Sequence, residues 1–340
     1  MTHRLSIIDV GHGNCALITT EGKNVIIDTA SRTHLLRFLE SVGVFDIDLV
    51  VISHSDEDHM GGLLNLLSNS KYSVSKLVIN PDAKKKSDLW EDVRALVGGA
   101  HHAGRLQVYP AVYSGGENIG WSEVSSRLRL EVIAPSLEMV LGGPGLPLPG
   151  DKKAITSNAA SIVIRAHFDN NPVVFFAADM DEITLSAIQK GGVETEAGFL
   201  VFPHHGGLTG GGDIADFCEQ VLAVVKPKMV IFSNGRGRHG NPREEILNCI
   251  KSKFPGTYIA CTQLSKSCCA TPVVRNDYVS DEYFAGQAND AYCAGNITID
   301  MEKLSQLDWQ LKTHETFVAS LADAKCRVVG QAANVIKLIR

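Results

Sequence analysis

Nowhere in the 340 residues does an apolar run approach the roughly 18 residues that a membrane-spanning helix needs. The opening "MTHRLSIIDVGHG" lacks the charged and then apolar pattern of a secretory leader and runs straight into a strand-like stretch. A cytoplasmic chain with no membrane contact is the expectation. Paired C-x2-C spacing is missing among the eight cysteines, which removes the commonest zinc-ribbon pattern. Cys15, Cys218, Cys249 and Cys326 stand among apolar neighbours and read as reduced core thiols. Cys261, Cys268, Cys269 and Cys293 gather late, in "CTQLSKSCCA" and "YCAG", where reduced structural thiols, a metal site and a disulfide are all open. Basic excess is absent too: the net charge is −6, so any contact with nucleic acid has to be local. Biased linkers and internal repeats are also missing. One domain over residues 1–300, with a helical extension over 301–340 packed on it, is the expectation.

What is there alternates strand and helix, an α/β pattern. "LSIIDV", "CALITT" and "NVIIDT" read as a meander of three short strands joined by glycine-bearing turns. "SRTHLLRFLESVG" reads as a helix with Ser31 as N-cap and Gly43 as its stop. "IDLVVIS" is apolar on both faces, as in a sheet covered on each side. A helix over "HMGGLLNLLSN" follows, and the loop-rich segment from "SGGENIGWSE" to "GGPGLPLPGDKKAIT" is a candidate flap. The second half repeats the order, with a hairpin across "DNN" and a helix "PREEILNCIKSKF" opened by Pro242.

"LVVISHSDEDHMGGL" is the most informative stretch. Four apolar residues, Leu49 to Ile52, lead into "HSDEDH", where five of six side chains can bind a metal or a proton. Similar residues recur at the carboxyl ends of other expected strands: Asp28, Asp179, then His204 and His205. Strand ends of a layered α/β fold point one way, so these groups can converge on one edge. Carboxylates and imidazoles crowded together repel one another or desolvate badly without a cation. Two divalent ions sharing a carboxylate would satisfy them all.

The combination resembles the metallo-β-lactamase-fold hydrolases, and among them the hydrolase domain of the competence protein ComEC and its stand-alone relatives. "IIDVGHGNCALI" is similar to that group's first strand and turn, and "NVIIDTA" places Asp28 at the first motif aspartate. "SHSDEDHMGG" fits an H-x-D-x-D-H-x-G-G variant in which Asp56 stands where most of the superfamily has histidine. "NAASIVIRAHF" with "VVFFAADMD" and then "FLVFPHHGG" resemble the motifs that follow. The likeness runs over about residues 4–300 and implies a four-layer αβ/βα sandwich.

It also implies roles. One ion would be held by His54 and Asp56 and the other by Asp58 and His59, with Asp179 bridging and His205 completing the second. His204 would polarise substrate or protonate the leaving group, and Asp28 would orient the ligands through hydrogen bonds. The two ions would lower the pKa of a shared water, and the hydroxide, oriented by Asp58, would attack phosphorus in line. Asn158 stands where the third-motif histidine is expected, near the substrate. "RHGNPR" replaces the group's G-H-P signature, with His239 two residues before Asn241. Zn²⁺ and Mn²⁺ both suit so oxygen-rich a set.

Other groups stay open. His12 either borders the site or is a turn histidine bonded to backbone, and "DAKKKSD" reads as an exposed face or helix entry. "RGRHGNPR" either holds phosphates through Arg236, Arg238 and His239 or is an ordinary basic loop. The implied activity is a phosphodiesterase or nuclease acting on nucleic acid. The alternatives are a hydrolase of a small phosphodiester, cyclic nucleotide or lactone, and a weakly catalytic metal-binding interaction module. The resemblance also permits protein partners in a multi-gene bacterial system, defence loci included.

Overall fold

The computed structural model describes residues 3–30, 32–116, 120–150, 152–275, 282–303 and 305–327. β1 (Arg4–Ile7), β2 (Cys15–Thr20) and β3 (Lys23–Thr29) form the antiparallel meander. After α1 (His34–Val42) and β4 (Asp46–Ile52) come two short helices, α2 (Glu57–Met60) and α3 (Leu63–Ser68). The half closes with β5 (Ser73–Ile79), α4 (Asp88–His102) and β6 (Gln107–Tyr109). The second half opens with β7 (Leu128–Ala134), α5 (Leu137–Gly142) and the hairpin β8 (Val163–Phe168) and β9 (Asn171–Phe176). Next stand α6 (Glu182–Gly191), β10 (Phe199–Val201), α7 (Ile214–Val225) and β11 (Met229–Phe232). Last come α8 (Glu244–Lys253), β12 (Tyr258–Cys261), β13 (Ile297–Asp300) and α9 (Ser305–Ser320).

The strands pair in the orders β13-β1-β2-β3-β4-β5-β6 and β12-β11-β10-β9-β8-β7. Each sheet is antiparallel in one part and parallel in the other, β3 to β6 and β9 to β12 being the parallel runs. Alternation along each strand explains the layering. Val25 and Ile27 of β3, and Leu49 and Val51 of β4, point between the sheets, while Ile26, Val50 and Ile52 point outward. Met229 and Ile231 of β11 meet them from the other sheet, and Val230 and Phe232 face out. α1, α3 and α4 cover the first outer face through Phe38, Leu66 and Trp90. α6, α7 and α8 cover the second through Leu185, Phe217 and Ile250. Helix, sheet, sheet and helix are the four layers, and strands buried on both faces need unbroken apolar runs.

Helix ends account for several differences from the sequence reading. Ser31 lies outside the described residues; α1 opens after Thr33, and Gly43 closes it with the left-handed φ of 68° that glycine tolerates best. Pro242 precedes α8, whose cap is Arg243. The helix expected at "HMGGLLNLLSN" is two helices, and the first begins inside the acidic cluster at Glu57. Gly62 separates them where a Cβ would stand 2.4 Å from the Thr29 carbonyl oxygen. Asp213 caps α7, its Oδ1 accepting from Ala215 N at 2.8 Å and Asp216 N at 3.0 Å. Asp213→Ala is expected to cost about 1 kcal/mol in urea unfolding, and an unchanged midpoint would contradict that.

α9 sends Leu307 and Leu311 into the core between the sheets and Phe317 and Val318 into the second helical face. The Tyr258 hydroxyl lies 3.2 Å from Leu311 O and 2.8 Å from His314 Nδ1. Residues 328–340 of the expected extension lie outside the described residues. All eight cysteines are free thiols, and Cys261, Cys268, Cys293 and Cys326 pack in one apolar cluster. Among the described residues no helix is long and apolar enough to cross a membrane.

Candidate active site

β3, β4, β9 and β10 bring their carboxyl ends to one edge of the sandwich, and each is followed by a polar side chain there. Asp28 closes β3 with φ 57° and is buried. Its Oδ1 accepts from Ser53 N at 2.7 Å, and its Oδ2 accepts from Ser53 Oγ at 2.9 Å and His59 Nδ1 at 2.8 Å. The carboxylate thereby fixes the proton of His59 on Nδ1 and turns Nε2 inward, where it lies 3.2 Å from Asp179 Oδ1. The ring of His54 packs 4.0 Å from that of His59, with Ser53 Oγ 3.1 Å from His54 Nδ1.

His204 and His205 follow β10 in a tight turn with φ values of 51° and 55°. Two consecutive non-glycine residues in the left-handed region store strain of a kind that concentrates at functional sites. The turn is held by His204 N donating to Ala178 O at 3.2 Å and Asn241 Nδ2 donating to His204 O at 3.2 Å. His204 Nδ1 lies 3.2 Å from Asp179 Oδ2. His205 Nδ1 donates to Ser233 O at 2.8 Å, which directs Nε2 toward Asp58 Oδ2 at 3.3 Å. His12, from the loop after β1, brings Nε2 to 3.4 Å from the same Asp58 oxygen.

Two donor sets result, His54 with His59 and Asp179, and His12 with Asp58 and His205, each with ligand atoms within 4.8 Å of one another. His205 Nε2 stands 3.9 Å from Asp179 Oδ1, so the sets adjoin at that carboxylate. His54 Nε2, His59 Nε2, His205 Nε2 and Asp179 Oδ1 are all buried without a hydrogen-bond partner among the described residues. Four such atoms facing one another would cost about 1–3 kcal/mol each. Divalent ions would satisfy all four, so the residues present fit the metal that the sequence implies. Nitrogen and oxygen donors together suit Zn²⁺ or Mn²⁺.

The electrostatics have the same origin. Burial would raise the Asp58 carboxyl, but the imidazoles of His205 and His59 outweigh it and hold the group below the usual range. Burial works the same way on Asp179, and His59 and His204 overcome it. Burial would lower His59, yet Asp179 and Asp28 drive it well above an ordinary histidine. Burial, with His205 beside it, takes His12 down to about 4, which leaves a neutral imidazole with a lone pair to give.

The other expected site residues are placed as follows. Asp56 is one-third exposed; its Oδ1 is paired with Lys85 Nζ, and its Oδ2 lies 3.7 Å from His54 Nε2. It belongs to neither donor set; Asp58 is grouped with His205 and His12, and His59 with His54 and Asp179. Arg236 is engaged by backbone: its guanidinium donates to Leu264 O, Cys269 O and Ala270 O at 2.7–2.9 Å. Arg238 and His239 are exposed, and the His239 ring lies 4.9 Å from that of His12. Asn158 is half-buried, its carbonyl accepting from Ser161 N, while Ser157 rather than Asn158 lines the pocket beside His54. α5 and the segment after it close one wall of that pocket through Met139, Val140 and Pro144, within the stretch read as a flap.

Sequence reasoning missed Asp82 and Lys85 in "DAKKKSD". Asp82 is buried and accepts from Ser157 Oγ at 2.6 Å, from Ser55 Oγ, and from the backbone of Lys84 and Lys85 at 3.0 Å. Asp82 and Lys85 therefore border the site, while Ala83, Lys84 and Lys86 form the exposed entry to α4. An acidic residue two positions before a lysine run, shortly after an apolar strand, was the available signal.

Residues 8–138 match the family described as "Metallo-beta-lactamase superfamily". Competence protein ComA from Neisseria gonorrhoeae is 22% identical over 255 residues, a match covering 73% of this chain and 29% of that protein, so the chain spans under a third of the relative's length. Igni18, a metallo hydrolase from Ignicoccus hospitalis, is similar at 16% identity and TM-score 0.41, over 76% of this chain and 94% of the other. The metallo-beta-lactamase fold protein YhfI from Bacillus subtilis is similar at 10% identity and TM-score 0.45, over 76% and 96%. The match over residues 8–138, the two facing mixed sheets and their helical covers identify the architecture as the metallo-β-lactamase fold.

Proposed function

We propose that the chain is a metal-dependent phosphodiesterase acting on nucleic acid. The observation that carries this reading is the pair of donor sets meeting at Asp179, 3.9 Å from His205 Nε2. Ions about 3.5–4 Å apart can serve both the attacking and the leaving oxygen of an in-line displacement. Bound there, they would supply a water acidic enough to ionise near neutrality and counter-charge for the phosphoryl oxygens. Asp58, held as a carboxylate, accepts a hydrogen bond from the attacking water and orients it. His204 is oriented by Asp179 through Nδ1 and keeps Nε2 free to give a proton to the departing oxygen. Lys85, about a quarter exposed beside Asp56, and the exposed Arg238 are cations at the mouth that phosphates would meet.

Purified protein loaded with Mn²⁺ or Zn²⁺ is expected to cleave single-stranded DNA, duplex DNA or RNA, together with bis(p-nitrophenyl) phosphate. EDTA should abolish the cleavage and restored metal should recover it. Cleavage of the small ester alone would replace nucleic acid by a small phosphodiester. Inactivity with metal verified by elemental analysis would assign the fold to interaction with partner proteins instead.

A further inference from the structure

We propose that His12 is a ligand of the second ion, beside Asp58 and His205. This inference rests on the metal-dependent reading of the site and concerns how the ligands are divided. His59 Nδ1 is bonded to Asp28 at 2.8 Å, and its Nε2 lies 3.2 Å from Asp179 Oδ1, in the donor set with His54. Without His12 the second ion would have Asp58 and His205 as its own ligands and a share of Asp179. His12 raises its own set to three, the number that open metal sites take from protein while keeping a position for water.

The loop carrying His12 is built to hold it there. Asp9, fully buried, accepts from Gly11 N at 3.0 Å, Gln263 Nε2 at 2.9 Å and Gly286 N at 3.0 Å. Asn14 N donates to Asp58 O at 3.1 Å, and Ser233 Oγ donates to Gly13 O at 2.6 Å. Gly13 has φ 132°, and a Cβ on it would stand 2.4 Å from Asp58 O, so loop and metal-binding turn approach as only glycine allows. From the other side Gly235 packs on His12, where a Cβ would meet His12 N at 2.6 Å. The same turn that carries Asp58, and the same strand end whose Ser233 carbonyl orients His205, thus fix the backbone of His12. Three ligands from three separate segments are set against one another by the hydrogen bonds between those segments. His205, with its buried and unpartnered Nε2, completes the set.

Apo full-length protein titrated with Mn²⁺ by calorimetry should bind two ions. In His12→Gln, which keeps the side chain's size, one ion should bind with unchanged affinity and the second at least about 10-fold more weakly. His12→Ala should behave alike, with circular dichroism reporting an intact fold in each variant. Diethylpyrocarbonate mapping of the wild-type protein, which needs no variant, should show His12 modified without metal and protected with it. Two ions at wild-type affinity in both variants, or no protection of His12, would overturn the assignment and leave the hydrolase reading standing. Failure of the wild-type protein to bind any ion would overturn both.

Discussion

Asp179→Ala is expected to lower kcat/KM on a phosphodiester by about 10³-fold or more, the equivalent of about 4 kcal/mol of transition-state stabilisation. The carboxylate lies where the two donor sets meet, Oδ1 3.2 Å from His59 Nε2 and 3.9 Å from His205 Nε2, with Oδ2 3.2 Å from His204 Nδ1. One substitution therefore removes the shared anionic ligand and the group that orients His204. It also leaves two buried imidazoles facing each other without their counter-charge. Elemental analysis of the variant should show fewer than two ions per chain. Wild-type activity would place the chemistry elsewhere.

Asp28 gives the second large effect, and its two substitutions should separate stability from metal binding. Asp28→Ala strands three buried donors, Ser53 N, Ser53 Oγ and His59 Nδ1, and is expected to cost about 2 kcal/mol or more in stability. Asp28→Asn keeps an acceptor for Ser53 and tolerates the left-handed backbone at φ 57°. Its amide N–H₂, set against His59 Nδ1, would move the imidazole proton to Nε2 and cap the lone pair that a metal needs. The Asp28→Asn variant should thus unfold close to the wild-type midpoint yet bind metal about 10- to 100-fold more weakly, the usual cost of losing a partner that orients a ligand. Equal metal affinity for that variant and the wild type would show that Asp28 serves folding alone.

The layers were legible because burial on both faces of a parallel strand forces runs such as Leu49 to Ile52. The donor residues were legible for a complementary reason: "HSDEDH" directly after such a run places charge where water is scarce. Which donors gather in one set was not legible. That grouping depends on where each imidazole directs its two nitrogens, and for His59 the Nδ1 is held by Asp28, on β3. His12 could not be assigned because its position rests on the contact of Gly13 with Asp58 and on Ser233 at the end of β11. Arg236 looked available as a cation, but three carbonyls from the segment around Ala270 satisfy it. Lys85 looked solvated, but Asp82 draws its backbone inward. In each case a one-dimensional pattern gave the residue type and a long-range hydrogen bond decided its use.

Anomalous diffraction from a crystal soaked in Mn²⁺ is the most direct test of the central claim. Two peaks about 3.5–4 Å apart are expected, one among His54, His59 and Asp179 and the other among His12, Asp58 and His205. A map with no anomalous density among these side chains would contradict the account.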